Sequence, residues 1–236
     1  MNIALITAGG IGTRTGQIVP KQFINVYDKP IIIYTMEAFQ RHPEIDAIYV
    51  ACLEGWEGFM DLYAKQFGIT KLKGIVRGGK TGQESIENVL KVIAEECSPD
   101  DIVLVQDGSR PYLEPEIISA NIETCRLHGN AITAIDCKEA MLETPDKISS
   151  VVSYDRETLY RTQTPHTMSL KDMLALHEEA KAKGITGSVA TCTLLIECGH
   201  RVWFVRGSDF NFKITSKEDL MLFKALIYVL EQEKRS

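Results

Sequence analysis

Apolar positions along the chain fall into two alternating patterns. Asn2–Thr7 (NIALIT) is a short unbroken apolar run, and Ala47–Leu53 (AIYVACL), Asp101–Gln106 (DIVLVQ) and Ala131–Ile135 repeat it. Runs of this length predict strands buried on both faces. Between them the apolar residues are spaced at helical intervals. Pro30–Phe39 predicts a helix with Pro at its first position, and Gly55–Phe67 a second helix. Gly74–Arg77 predicts a short strand ending in Gly78-Gly79. Gln83–Cys97 places Ile86, Val89, Leu90 and Ile93 on one face of an amphipathic helix, and Pro115–His128 is helical. Strands alternating with helices predict an α/β fold, a mostly parallel twisted sheet flanked by helices. In such sheets ligands bind beyond the carboxyl ends of the strands. The loops after Thr7, Arg77 and Gln106 are therefore expected to converge on one site.

The alternation breaks between about Asp136 and Thr164. Short β-like pieces at Met141–Glu143, Val151–Tyr154 and Thr158–Thr162 predict a protruding β-arm, residues 136–164, within a single domain spanning 1–236. Regular structure resumes with helices at Ser169–Ala182 and around Val189–Cys198 and a strand at Arg201–Val205. The last helix opens on Thr215-Ser216-Lys217-Glu218, a capping-box pattern, and runs to about Glu233.

Composition narrows the function. The formal net charge of −6 argues against nucleic acid as a partner, since binding it requires excess Lys and Arg. A small anionic substrate needs only a few local cations. No run approaches the ~18 apolar residues of a membrane span. The six cysteines form no CxxC pair and read as reduced thiols; with no signal-peptide pattern at the start, a cytoplasmic protein is expected.

The candidate chemistry begins directly after the first strand. Ala8-Gly9-Gly10-Ile11-Gly12-Thr13-Arg14 is followed by Pro20-Lys21-Gln22. Glycines there let backbone N–H groups approach phosphate oxygens, and Arg14 and Lys21 can neutralise a triphosphate. The loop is not a P-loop, because GxxxxGK[ST] is absent. Nor is it a dinucleotide fingerprint, since residue 15 is Thr where GxGxxG requires Gly. Asp107, at the end of a buried strand, is an acidic residue of the kind that holds Mg²⁺ beside phosphates, although DGS is also a good turn sequence.

The stretch AGGIGTR…PKQF resembles the signature of the cytidylyltransferases that activate small polyol phosphates, which make CDP-ribitol from ribitol 5-phosphate or cytidyl-diphospho-methylerythritol from methylerythritol 4-phosphate. The resemblance covers essentially the whole chain. It implies a Rossmann-like nucleotidyltransferase fold, CTP as substrate, Mg²⁺ as metal and a homodimer formed through the arm. It implies contacts to the nucleotide from Ala8, Gly9, Gly10, Gly12, Thr13, Gly79, Ser85, Asp107 and Gly108. Gly82 stands where relatives often carry Arg. Gln106-Asp107-Gly108-Ser109-Arg110-Pro111 resembles the family's HDxxRP, which makes Arg110 an acceptor contact. In RETLYRTQTPH, Arg156 and Thr164 match an Arg and a Thr that the arm carries into the partner's site; His166 replaces a Gln. Asn211-Phe212-Lys213-Ile214-Thr215 is similar to NxKIT, whose Lys reaches the reacting phosphate. Arg14, Lys21 and Lys213 are thus the expected catalytic residues. Asp107 is the expected metal ligand, with a second open between Asp209, Asn211 or neither.

The acceptor implied is a phosphate monoester, already a nucleophile, so no His or Ser base is required. Catalysis reduces to positioning and charge stabilisation of in-line attack on the α-phosphate. Two departures concern the acceptor. Glu139-Ala140 replaces an Asp-Thr pair, and Val189–Thr193 lacks the acidic residues of a TDDAS-like stretch. With the Gly-Gly and Gly-Thr-Arg of the opening loop, these favour ribitol 5-phosphate over methylerythritol 4-phosphate. The competing classes are a sugar-1-phosphate nucleotidyltransferase, a non-catalytic nucleotide-binding relative, and a Rossmann oxidoreductase, the last disfavoured by the missing third Gly.

Overall fold

The computed structural model describes residues 1–10 and 19–233. In chain order the elements are β1 (Asn2–Ala8), β2 (Asn25–Val26), β3 (Lys29–Pro30), α1 (Ile31–Arg41), β4 (Ala47–Cys52), α2 (Glu57–Gln66), β5 (Leu72–Arg77) and α3 (Gly82–Glu96). They continue with β6 (Ile102–Asp107), α4 (Pro115–His128), β7 (Asn130–Asp136), β8 (Met141–Glu143), β9 (Val152–Tyr154), β10 (Tyr160–Ser169), α5 (Leu170–Ala182), α6 (Thr191–Cys198), β11 (Phe204–Arg206) and α7 (Lys217–Glu233).

Seven strands form one sheet in the order β11-β7-β10-β6-β1-β4-β5. All neighbouring pairs are parallel except those of β10, which runs antiparallel to both β6 and β7. The period of two along each strand divides its side chains between two cores. Ala4, Ile6, Ile48, Val50 and Leu104 meet α1, α2 and α4 on one face. Ile3, Leu5, Tyr49, Val103 and Val105 meet α3, α5 and α6 on the other. A third cluster packs α7, through Leu220, Phe223 and Ile227, against Ile24, Val26 and Ile31.

Three sequence expectations change. The piece at Thr158–Thr162 is not a separate strand of the arm: Thr158 ends a 3-10 turn, and Tyr160–Thr162 opens the ten-residue β10, inserted in the main sheet. Its Gln163, Thr164, His166 and Thr167 are buried but polar, so hydropathy concealed it. Pro165 sits where the register shifts, and there the missing N–H breaks no ladder. The strand expected at Arg201–Val205 shortens to β11. Asn130 substitutes for the ladder before it, its Nδ2 donating to Arg201 O (2.9 Å) and its Oδ1 accepting from Trp203 N (3.0 Å). The capping box of α7 lies one residue later than read. Ser216 Oγ accepts from Asp219 N (3.2 Å), and Asp219 Oδ2 accepts from the N–H groups of Ser216 (2.8 Å) and Thr215 (2.7 Å) and from Thr215 Oγ1 (2.7 Å). Asp219 satisfies three donors at once, while Glu218 is exposed.

The arm proper is the β8–β9 ribbon, with Met141, Leu142, Ile148, Val151, Val152 and Tyr154 exposed. Among the described residues no helix is long and apolar enough to cross a membrane.

One turn fixes how β6 delivers its last residue. Gly108 N donates to Thr7 O (2.9 Å), and a Cβ at Gly108 would lie 2.8 Å from that oxygen and 2.5 Å from Ile32 Cδ1. Gly108→Ala is expected to destabilise the protein by ~1–3 kcal/mol in urea unfolding, because backbone cannot yield as a flexible side chain does. An unchanged midpoint would contradict this packing.

Candidate active site

The carboxyl ends of β1, β5 and β6 face one cleft, each through a differently built loop. After β1, buried Gln22 holds the start of the glycine loop, its Nε2 donating to Ala8 O (2.7 Å) and Gly10 O (3.1 Å). Lys21 Nζ donates to Ile214 O (3.1 Å), so this loop meets the segment leading to α7. After β5, Thr81 caps α3 by accepting from Glu84 N (3.1 Å), while Glu84 Oε2 accepts from Lys80 N (2.8 Å). Ser85 Oγ donates to Thr81 O (2.8 Å) and accepts from Gly79 N (2.9 Å). A Cβ on Gly79 would strike the Glu84 side chain at 2.4–2.7 Å, so the tight turn requires glycine.

At the end of β6 stands Asp107. Its Oδ1 accepts from Lys213 Nζ (3.0 Å) and its Oδ2 from Arg110 Nε (3.1 Å). The Asp107 side chain is 20% exposed and that of Lys213 40%. Burial works against the charged carboxylate most strongly, but Lys213 and Arg110 together outweigh it and hold its pKa below the usual range. Arg110 is itself anchored, its Nη1 donating to Asn211 O (2.7 Å). The Asp107 N–H donates to Thr164 Oγ1 (3.0 Å).

Two cavities meet at this carboxylate. The first, of about 380 Å³, lies between Ala8–Gly10, Lys21, Gly79–Gly82 and Ser85. Lys21, Lys80 and Lys213 line it, with Asp107 the one acid among the described lining residues. Glycine backbone with three lysines suits a polyanion such as a chain of phosphates. The second, of about 270 Å³, runs from Asp107, Arg110 and Lys213 past Thr164 to His166 and His177. Burial pushes the His166 imidazole down to about 4, with Asp107 pulling the other way, so it is neutral at pH 7.

A family model described as IspD, 2-C-methyl-D-erythritol 4-phosphate cytidylyltransferase, matches residues 2–229. The chain belongs to this cytidylyltransferase family. Among its relatives, a ribitol-5-phosphate cytidylyltransferase of Lacticaseibacillus paracasei is 39% identical over 99% of this chain and 100% of that protein. One from Vibrio parahaemolyticus is 41% identical over 96% of each. A 2-C-methyl-D-erythritol 4-phosphate cytidylyltransferase of Geotalea uraniireducens is 32% identical over 98% of each. The fold matches the crystal structure of 4-diphosphocytidyl-2C-methyl-D-erythritol synthase from Anaerococcus prevotii with a TM-score of 0.80, at 25% identity over 96% of this chain and 95% of that one.

Within this cytidylyltransferase the cleft gathers Ala8, Gly9, Gly10, Lys21, Gly79, Ser85, Asp107, Arg110, Thr164 and Lys213. Gly12, Thr13 and Arg14 lie outside the described residues. Gly108 lines neither cavity and instead packs on Thr7 and Ile32. Thr164, expected on the arm, is on β10 and lines this cleft, because the register shift there brings Gln163 and Thr164 to the end of β6. Arg156 stays on the arm, its Nη1 donating to Lys138 O (2.9 Å), and it lines neither cavity. Asp209 is not brought to Asp107. It lines a separate cavity at the base of the arm, drawn there by an ion pair with Lys138 and by Arg161 Nη2 at 3.7 Å. Asn211 is fully buried behind Arg110. Sequence reasoning gave no role to Gln22, Gln163 and His166, although they lie within quoted motifs, nor to Lys80 beside Gly79, Thr81 and His177. Only Thr81 and His177 carried no motif signal.

Among the described residues no group of three or more His, Cys, Asp or Glu side chains could hold a metal. A lone carboxylate beside a lysine-lined cavity is compatible with Mg²⁺, which takes one or two carboxylates and completes its shell with phosphate oxygens and water.

Because Asp107 is held below its ordinary pKa, the stability its charge contributes is present above the unfolded value near ~4 and is lost as pH falls through the lower folded value. Lys213→Met leaves Arg110 alone against burial. The Asp107 pKa is expected to rise in that variant, read by carboxyl-carbon NMR titration; an unchanged titration would show that Lys213 does not govern it.

Proposed function

We propose that the protein transfers CMP from CTP to D-ribitol 5-phosphate, giving CDP-ribitol and pyrophosphate. The observation that carries the reading is the junction at Asp107, where a lysine-lined glycine cavity meets a second cavity entered past Arg110 and Lys213. The first cavity accommodates the triphosphate and the second the acceptor. An oxygen of the acceptor phosphate attacks the α-phosphorus in line, and the bond from that phosphorus to the bridging oxygen of the β-phosphate breaks. Lys21, Lys213 and Arg14 stabilise the charge that develops, and the glycine-loop N–H groups orient the nucleotide. Mg²⁺ held by Asp107 and phosphate oxygens would neutralise further charge. No residue need remove a proton, because the attacking phosphate is already ionised.

The acceptor assignment is supported by the 39–41% identity to two ribitol-5-phosphate enzymes against 32% to a methylerythritol one. The exposed Val189, in the stretch where the resemblance gives the methylerythritol enzymes acidic residues, agrees with it. We propose further that 1–236 is one nucleotidyltransferase domain whose arm, within 136–164, pairs with a second copy. The apolar side chains of β8 and β9 would be covered and Arg156 brought to the partner's cleft. Unpaired thiols suit a cytoplasmic setting.

Pyrophosphate release from CTP is expected with ribitol 5-phosphate and weaker or absent with methylerythritol 4-phosphate; the reverse preference would reassign the acceptor. Lys21→Ala is expected to lower turnover ~100-fold, as for loss of one transition-state donor. Near-normal turnover would remove Lys21 from the mechanism. Sedimentation should show a dimer, and a monomer at assay concentration would remove Arg156 from the site.

A further inference from the structure

The cavity beyond Asp107 has two chemically different ends. At its mouth Lys213 and Arg110 supply positive charge beside Thr164. Away from the mouth lies Val105, two residues before Asp107 on the same face of β6, with His166 of β10 as its cross-strand neighbour. His177 of α5 lines the same cavity, and both imidazoles are 2% exposed. Among the described lining residues only Asp107, Arg110 and Lys213 carry a formal charge once the imidazoles are neutral; the other polar groups are hydroxyls and amides such as Gln83, Thr162 and Ser188. His166 Nε2 and both ring nitrogens of His177 have no hydrogen-bond partner in the protein. Buried polar atoms are rarely left so, and unpartnered ones lining a cavity point to a ligand that completes them.

We propose that His166 and His177 determine acceptor specificity: they hydrogen-bond hydroxyls of an uncharged polyol chain whose single phosphate lies at Lys213 and Arg110. The inference rests on the cytidylyl-transfer reading and deepens it. A neutral imidazole carries one donor and one acceptor, as an alcohol does; the Gln163 backbone engages the His166 ring, so His166 offers Nε2 alone, while His177 offers both nitrogens. Burial lowers both imidazole pKa values, which keeps each ring neutral and its unpartnered nitrogen free to bond a hydroxyl. A second carboxylate or phosphate at the far end of the acceptor would be desolvated with no cation to meet it, so such acceptors are rejected.

The test is steady-state kinetics with CTP and three acceptors: ribitol 5-phosphate and its 1-deoxy and 2-deoxy analogues. His166→Leu and His177→Leu are each expected to raise the KM for ribitol 5-phosphate about ten-fold while the KM for CTP stays within about two-fold. The wild type should lose a similar factor with at least one deoxy analogue that the matching Leu variant no longer distinguishes, giving a non-additive cycle. His166→Gln and His177→Gln, which restore a donor and an acceptor, should recover part of the loss, and they decide the matter if a Leu variant does not fold. Additive losses, an unchanged acceptor KM, or an equal rise in both KM values would overturn the proposal while leaving the transfer reaction standing. A wild type that uses CTP with no polyol phosphate would remove the parent reading, and this inference with it.

Discussion

A carboxylate held between two cations at the end of a central strand organises the region around it. Asp107 closes β6, Arg110 follows in the next turn, and Lys213 arrives 106 residues later. The same junction is stitched by backbone. Arg110 Nη1 donates to Asn211 O (2.7 Å), Ile214 N to Ser109 O (2.8 Å) and Lys21 Nζ to Ile214 O (3.1 Å). Desolvating an ion pair in this way contributes little net stability, but removing one partner leaves an uncompensated charge. What the arrangement secures is position. Three segments distant in sequence are held so that their charges already point at one cleft, and little reorganisation is needed when a transition state develops charge there.

The one antiparallel strand of the sheet serves the same end. β10 lies between β6 and β7, and its pairing with β7 advances four residues, Thr162 to His166, while β7 advances two. The irregularity carries Gln163 and Thr164 toward the end of β6. There the Thr164 hydroxyl accepts from the Asp107 N–H, and Asn211 Nδ2 donates to Thr164 O (2.8 Å). Gln163 Nε2 donates to Ser208 O (2.8 Å), which ties the segment after β11 to the same place. Buried polar residues in this strand thus act as fasteners between the sheet and the segment that carries Lys213.

Strands such as 2–7 and 101–106 were legible because they are buried on both faces, and helices such as 83–97 because one face is apolar. The candidate site was legible wherever a motif follows such an element directly, as Ala8–Gly10, Gly79 and Asp107 do. It was obscured where polar side chains replace the hydrophobic signal. Polar TQTPHT at 162–167 conceals a central strand, whereas 201–203 reads as strand but is held by the side-chain amide of Asn130 in place of a ladder. Asp209 shows the same limit in electrostatics. The family resemblance left it as one candidate for a second metal ligand, whereas Lys138 and Arg161, remote in sequence, draw its carboxylate to the base of the arm.

The sequence by itself determined the α/β alternation, the order of the motifs and the kind of chemistry they carry, because hydrophobic period and residue type act locally. Only the tertiary structure decided which motifs share a cavity. It brought Thr164 to the same cleft as Asp107, set Asp209 apart from Asp107, and placed the unpartnered His166 Nε2 and His177 side chain along the cavity that runs on from Asp107. The physical reason is that strand order, register and the satisfaction of buried charges depend on contacts between segments up to a hundred residues apart, and spacing along the chain does not encode those distances.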